Sequence, residues 1–251
     1  MTDPSPLYMH QLTFPLSDVF QFASHRDLLL PHMDADMGYI LHCMLYELFS
    51  PDLAPSPFSV RENEGGTLRM LAYSRSGSEE LSRKAQSYPG DFVQDRFLPL
   101  SLRTKQLPDR FPSGQGYRFE LRTLPVVRKA RGADRPGAEL DVYLREVEKQ
   151  DTDDNEEGKL DRMKIYRSWL NDRFECLSSV RLQNCDVKQF RLREMLRTDG
   201  AGDKRKITRP DVRYDGQLEV TRPEQVHEEL FERGVGRHRA FGFGMVLLKR
   251  L

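Results

Sequence analysis

No stretch of this sequence approaches the roughly 18 consecutive apolar residues that a membrane-spanning helix needs. Net charge is missing too. The 39 lysines and arginines balance 39 aspartates and glutamates, so attraction to a polyanion has to come from how the charges are distributed. Cysteine is scarce: Cys43, Cys176 and Cys185 are odd in number and lack metal-ligand spacing, which fits reduced thiols of a cytoplasmic protein. The first residues, MTDPSPLYMHQL, lack the basic and apolar regions of a signal peptide. No compact set of carboxylates or His/Cys ligands suggests a metal site, and no cofactor motif is complete. Hydrophobic residues make up only 38%, yet 251 residues suffice for a core, in one large domain or two small ones.

What is present is unevenly placed. Residues 146–161 (EVEKQDTDDNEEGKLD) are acidic and apolar-poor, a composition expected of a solvated loop. Residues 188–213 are basic, with Lys188, Arg191, Arg193, Arg197, Lys204, Arg205, Lys206, Arg209 and Arg213 around a glycine turn at 199–203. That pattern predicts a basic hairpin.

Periodicity predicts a strand over 7–14 and a helix over 34–49 with Met37, Ile40, Leu41, Met44, Leu45 and Leu48 on one face. Asp34 or Asp36 can cap this helix. Two strands follow at 58–63 and 67–73, joined through Glu64-Gly-Gly66, then a weak helix at 78–86 and a strand at 97–105. The order βαββαβ is ferredoxin-like. After a Pro/Gly-rich break at 109–116 the series recurs. It has a strand at 117–124, a helix at 160–174, a basic hairpin from Val180 to Thr221, a helix at 223–233 and a last strand at 240–249. The expected architecture is α+β, two tandem ferredoxin-like (RRM-like) domains over 1–112 and 113–251.

Three segments could carry chemistry. At about 100° per residue, Tyr39, His42 and Tyr46 fall opposite the apolar stripe of the first helix. Tyr39 and His42 are three apart and can converge on one substrate atom, and imidazole is the commonest general base. A polar helix face carrying such residues for no chemical reason is the competing reading. The second segment is RGVGRHRAFGFG (233–244), with four glycines, three arginines and a histidine. Its glycines follow a helix and precede a strand, the reverse of a dinucleotide fingerprint, and no Walker ending is present. Exposed backbone N–H groups and guanidinium would suit a sugar–phosphate backbone, although a plain glycine turn has the same spacing. The third is the basic hairpin, of a shape to lie along the phosphates of a folded RNA.

Together these segments resemble the CRISPR-associated repeat-RNA endonucleases of the CasE (Cse3) type, in the RAMP superfamily. DMGYILHCMLYELF resembles that family's helix with its Tyr-x-x-His pair, onto which Tyr39 and His42 fall. PFSVREN is similar to its next strand, YRFELRTLPVVRK to its arginine-rich strand, IYRSWL to its Trp-Leu helix, and DGQLEVTRPEQ with RGVGRHRAFGFGMVLL to its closing segments. Thr123-Leu124-Pro125 departs from the family's Ala-Asn-Pro, and the likeness is weakest over 72–94 and 132–160.

The resemblance implies metal-independent cleavage of CRISPR repeat hairpins by the RNA's own 2′-OH, leaving a 2′,3′-cyclic phosphate and a 5′-OH. It implies no cofactor and no membrane, with precursor and mature crRNA and other CRISPR effector subunits as partners. His42 and Tyr39 would be catalytic, with His42 as base or acid. Arg26, Arg191, Arg193, Arg197, Lys204, Arg205, Lys206, Gly234, Gly236, Arg237, His238, Arg239 and Gly242 would hold RNA. His25, Arg26, His32 and His238 are alternative contributors to catalysis, and a non-catalytic repeat-RNA-binding subunit is the alternative function.

Overall fold

The computed structural model describes residues 5–62, 65–129, 138–150, 160–198 and 204–251, without the side chains of Glu62, Thr198, Lys204 and Arg205. The first half runs β1 (Tyr8–Pro15), α1 (Leu16–His25), α2 (Met37–Phe49), β2 (Phe58–Glu62), β3 (Thr67–Ser74), α3 (Ser78–Ser87), α4 (Asp91–Phe97) and β4 (Ser101–Gln106). Its antiparallel sheet has the order β2-β3-β1-β4, the ferredoxin-like arrangement. On β1, His10, Leu12 and Phe14 alternate inward, and α1 and α2 pack on Leu12 and Phe14 with Val19, Phe22, Ile40, Leu41, Met44 and Leu48.

The second half contains β5 (Gly116–Thr123), a small hairpin of β6 (Val126–Arg128) and β7 (Glu139–Asp141), α5 (Val142–Gln150) and α6 (Arg162–Glu175). The long strands β8 (Val180–Thr198) and β9 (Lys204–Val220) follow, and β10 (Val246–Arg250) closes the sheet in the order β10-β5-β9-β8. The ferredoxin-like order thus appears twice, and the fold is α+β with two such sheets. β5 buries Tyr117, Phe119, Leu121 and Thr123 on one face. Asp161 caps α6, its Oδ1 accepting from the Met163 and Lys164 amides at 2.9 and 3.2 Å.

Several expectations need correction. Helices α1 and α4 stand beside the expected one-helix crossovers; they are short, and only Val19, Phe22 and Ala23 of α1 are buried, too few to give a clear period. Residues 146–150 belong to α5 rather than to an acidic loop, and 151–159 lie outside the described residues, as do the turns at 63–64 and 199–203. The segment after Arg222 is a 3-10 turn, Pro223–Gln225, followed by a π-helical one, His227–Glu232. The wider turn, with the Arg233 amide donating to the Glu228 carbonyl at 2.8 Å, brings Val226, Leu230 and Phe231 into one core. The last strand begins at Val246 rather than at residue 240, because 234–244 is a loop packed on other elements.

Two features position the site. β5 pairs with β9 only over Val212–Glu219, so the outer hairpin, from Arg191 on β8 and up to Asp211 on β9, extends beyond the four-stranded sheet. Its Leu196 amide donates to Asp36 Oδ2 at 3.0 Å. The same carboxylate caps α2 through Oδ1 and the Tyr39 amide at 3.3 Å. A buried aspartate therefore fastens the tip of the second sheet to the start of the helix that carries Tyr39 and His42.

Candidate active site

Helix α2 presents Tyr39, His42 and Tyr46 on its less buried face, as periodicity predicts. The glycine loop closes over that face. Gly38 is pressed against the backbone of Phe241: a Cβ built there would lie 3.0 Å from the Phe241 carbonyl carbon and closer still to its oxygen. The Phe241 ring becomes a floor for the site. It stacks on Tyr39 with centroids 5.9 Å apart and planes 13° apart, and meets His42 at 4.6 Å. Tyr39 and His42 are 6.3 Å apart, and Tyr46 contacts His42 at 4.1 Å. From the hairpin, Arg197 sets its guanidinium over Phe241, 4.6 Å from the centroid. Residues from three distant parts of the chain thus meet around one aromatic ring.

Neither nitrogen of His42 has a hydrogen-bond partner among the described residues, which leaves both for a substrate. Burial, and then the positive charge of Arg197, hold its pKa below the ordinary 6.5; both effects disfavour the cation. At neutral pH the imidazole is therefore in its proton-accepting form. Arg197 is tied by Nη1 to the Leu196 carbonyl at 2.8 Å and by Nη2 to His238 Nδ1 at 2.6 Å.

The other sequence-derived residues occupy varied places. His238 joins the cluster, with its other nitrogen 2.7 Å from Glu139 Oε2, and Arg237 Nε donates to Glu139 Oε1 at 2.6 Å. Arg191 Nε donates to the buried Asp211 at 2.9 Å, and Arg193 lies 3.9 Å from the same carboxylate, which also takes a bidentate pair from Arg122 at 2.8 and 2.7 Å. Burial works against ionisation of Asp211, but Arg122 and Arg191 outweigh it and keep the carboxyl below its usual pKa. Lys206 pairs with Glu194 at 2.7 Å, and Arg239 donates to the Arg233 carbonyl. The Lys204 and Arg205 side chains lie outside the described set. Arg26 pairs with Glu47 at 2.6 Å and His25 stacks on Phe92 at 3.9 Å; among the described residues, neither they nor His32 touch the His42 cluster.

The glycines do something the sequence did not suggest. Gly234 and Gly242 are buried, and Gly236, at φ 92°, has no room for a Cβ beside Thr123 Oγ1. They let the loop pack on its own protein, which brings Phe241 to α2. Sequence reasoning missed Phe241, Asp211 and Glu139, and of Asp36 it found the helix cap but not the bond to Leu196. A phenylalanine inside AFGFG was the one visible signal for a ring on a tight turn; Asp211 and Glu139 carried none.

No group of three or more His, Cys, Asp or Glu among the described residues is placed to hold a metal ion, and no helix there is long and apolar enough to cross a membrane.

Comparison with solved structures agrees on the fold. CRISPR endoribonuclease Cse3 bound to a 19-nucleotide RNA superposes with a TM-score of 0.62 at 19% identity, over 97% of this chain and 99% of that one. The CRISPR-associated protein Cas6e of Escherichia coli K-12 gives 0.54 at 17% identity, over 97% and 100%. A chain of a CRISPR RNA-guided surveillance complex gives 0.52 at 18%, also over 97% and 100%. No curated protein sequence matches significantly. The sequence model of the CRISPR-associated protein family matches residues 8–250, almost the whole described fold, and the chain belongs to that family.

Proposed function

We propose that this protein is an endoribonuclease that binds CRISPR repeat hairpins in precursor transcripts and cleaves them without a metal ion. The 2′-OH beside the scissile phosphate attacks that phosphate, leaving a 2′,3′-cyclic phosphate and a 5′-OH. The observation that carries the reading is the meeting of His42, Tyr39 and Arg197 on Phe241. Such a reaction needs a base for the 2′-OH proton and a donor for the charge building on phosphorus. His42, neutral and with both nitrogens open, is the base. Arg197 faces the phosphate, and Tyr39 positions the phosphate or the attacking hydroxyl. Arg191, Arg193 and Lys206 line the hairpin along the RNA stem, the role also assigned to Lys204 and Arg205 from the sequence, and Arg237 and Arg239 sit on the loop beside it.

The folds of Cse3 bound to RNA and of a surveillance-complex subunit support two partners for this chain: repeat RNA, and an effector assembly that keeps the mature crRNA. The test is incubation with the cognate repeat RNA in EDTA, followed by mapping of product ends. Cleavage to a cyclic phosphate and a 5′-OH is expected. Tight binding of an RNA that stays intact at saturating protein would instead make the chain a non-catalytic binding subunit.

A further inference from the structure

Glu139, on the small β6–β7 hairpin, is 11% exposed and is surrounded by arginines and His238: Arg237 at 2.6 Å, His238 at 2.7 Å and Arg209 at 3.4 Å. Burial works against its charge, but the hydrogen bonds from His238 and Arg237, with the Arg237 charge, outweigh that and hold its pKa well below the usual carboxylate range. It is an acceptor at every pH of interest. On the other side of His238 stands Arg197, which can only donate. An imidazole held between an acceptor-only carboxylate and a donor-only guanidinium has one consistent state. In it the Nε2–H donates a hydrogen bond to Glu139, and a bare Nδ1 accepts from Arg197 at 2.6 Å. The backbone of His238 is left-handed, at φ 62°.

We propose that Glu139 and His238 are positioning residues that hold the Arg197 guanidinium over Phe241 beside His42, where it faces the reacting phosphate. The proposal rests on the endonuclease reading and assigns His238 to Arg197 rather than to the RNA backbone. A second residue that fixes the tautomer and direction of a catalytic side chain is a familiar physical device. Here its target is an arginine, whose long side chain would otherwise sample many rotamers.

The relay separates from plain electrostatics at Glu139. Removing an anion from a basic RNA site should tighten binding and leave chemistry alone. The relay predicts the opposite for the rate: Glu139→Ala binds repeat RNA at least as tightly as the wild type, yet its single-turnover cleavage falls about 10–100-fold. His238→Ala should fall similarly. His238→Asn, which tolerates a left-handed backbone and keeps an oxygen near the Nδ1 position, should cleave severalfold faster than His238→Ala. In the Arg197→Ala background, losing His238 should add almost nothing, because its effect runs through Arg197. Multiplicative losses in that double variant, or an unchanged rate in Glu139→Ala, would overturn the relay.

A readout independent of RNA covers variants that fold poorly. In ¹⁵N-histidine spectra of the free wild-type protein, His238 should be protonated at Nε2 and bare at Nδ1; an imidazolium or the other tautomer overturns the proposal. A wild-type protein that cuts no repeat RNA but shows this tautomer would defeat the endonuclease reading and leave the relay standing.

Discussion

Replacing Gly38 with alanine should damage the active site while improving the helix that carries it. Alanine is the best helix former, and glycine in a helix interior costs roughly 0.5–1 kcal/mol against it. Gly38 lies in the first turn of α2, so propensity alone predicts a modest gain. Packing predicts otherwise. The new Cβ would sit 3.0 Å from the Phe241 carbonyl carbon and overlap the carbonyl oxygen. Restoring a relaxed C···O separation of about 3.3 Å requires the loop and helix to part by about 1 Å. The atom in the way is backbone, with no side chain to swing aside. Phe241 would carry the shift directly to Tyr39, His42 and Arg197, all of which lean on its ring. A misplacement of about 1 Å in a catalytic constellation can cost about 100-fold in rate, so single-turnover cleavage should drop about 10–100-fold. RNA affinity, spread over the hairpin arginines, should change much less. Cleavage at saturating protein, filter binding and a thermal melt would be measured together. Wild-type cleavage with a raised Tm would show that Phe241 is not a floor on which the catalytic groups depend.

Four further outcomes are expected. The acid limb of the pH–rate profile should lie below 6.5, because burial and Arg197 both lower the pKa of His42 and the base form persists as pH falls; Arg197→Ala should move that limb upward, and a rate that instead declines as pH rises through this range would refute the base assignment. Gly236→Val should lower the melting temperature, since a Cβ has no room beside Thr123 and φ is 92°; an unchanged melt would show the loop to be looser than its packing implies. Asp211→Ala should cost about 3–5 kcal/mol in chemical denaturation, because it strands the buried Arg122 guanidinium without its partner. Changing Arg191 or Lys206 to alanine should flatten the salt dependence of RNA binding by about 0.7–0.9 log units per log salt for each phosphate no longer neutralised, with cleavage at saturating protein largely retained; an unaltered slope would take that residue off the RNA path.

Local periodicity made most of the fold legible. The alternation over residues 7–14 and 117–124, the helical stripe from Met37 to Leu48 and the hairpin around the glycine turn are each written within a few residues of chain, and two βαββαβ series follow from their order. The same period put Tyr39, His42 and Tyr46 on one face of α2. Elements with weak or mixed patterns were not legible. Helices α1 and α4 bury few residues each, and the π-helical turn before the glycine loop answers to a core assembled from distant strands.

The company that His42 keeps was decided by tertiary structure alone. Asp36 reads locally as a helix cap, and nothing near it announces that its second oxygen holds Leu196, 160 residues away. Arg197 reads as one cation of a basic run, yet the reach of the outer hairpin sets it apart from its neighbours by placing it over Phe241. At Gly234, Gly236 and Gly242 the space that a side chain would take is held by Gly244, Thr123 and Phe58, which no local pattern announces. The physical reason is common to all of these. Helix and strand preference is a property of a few consecutive residues, whereas a buried carboxylate, a guanidinium's direction or a glycine's close packing is fixed by atoms that only the folded chain brings within a few ångströms.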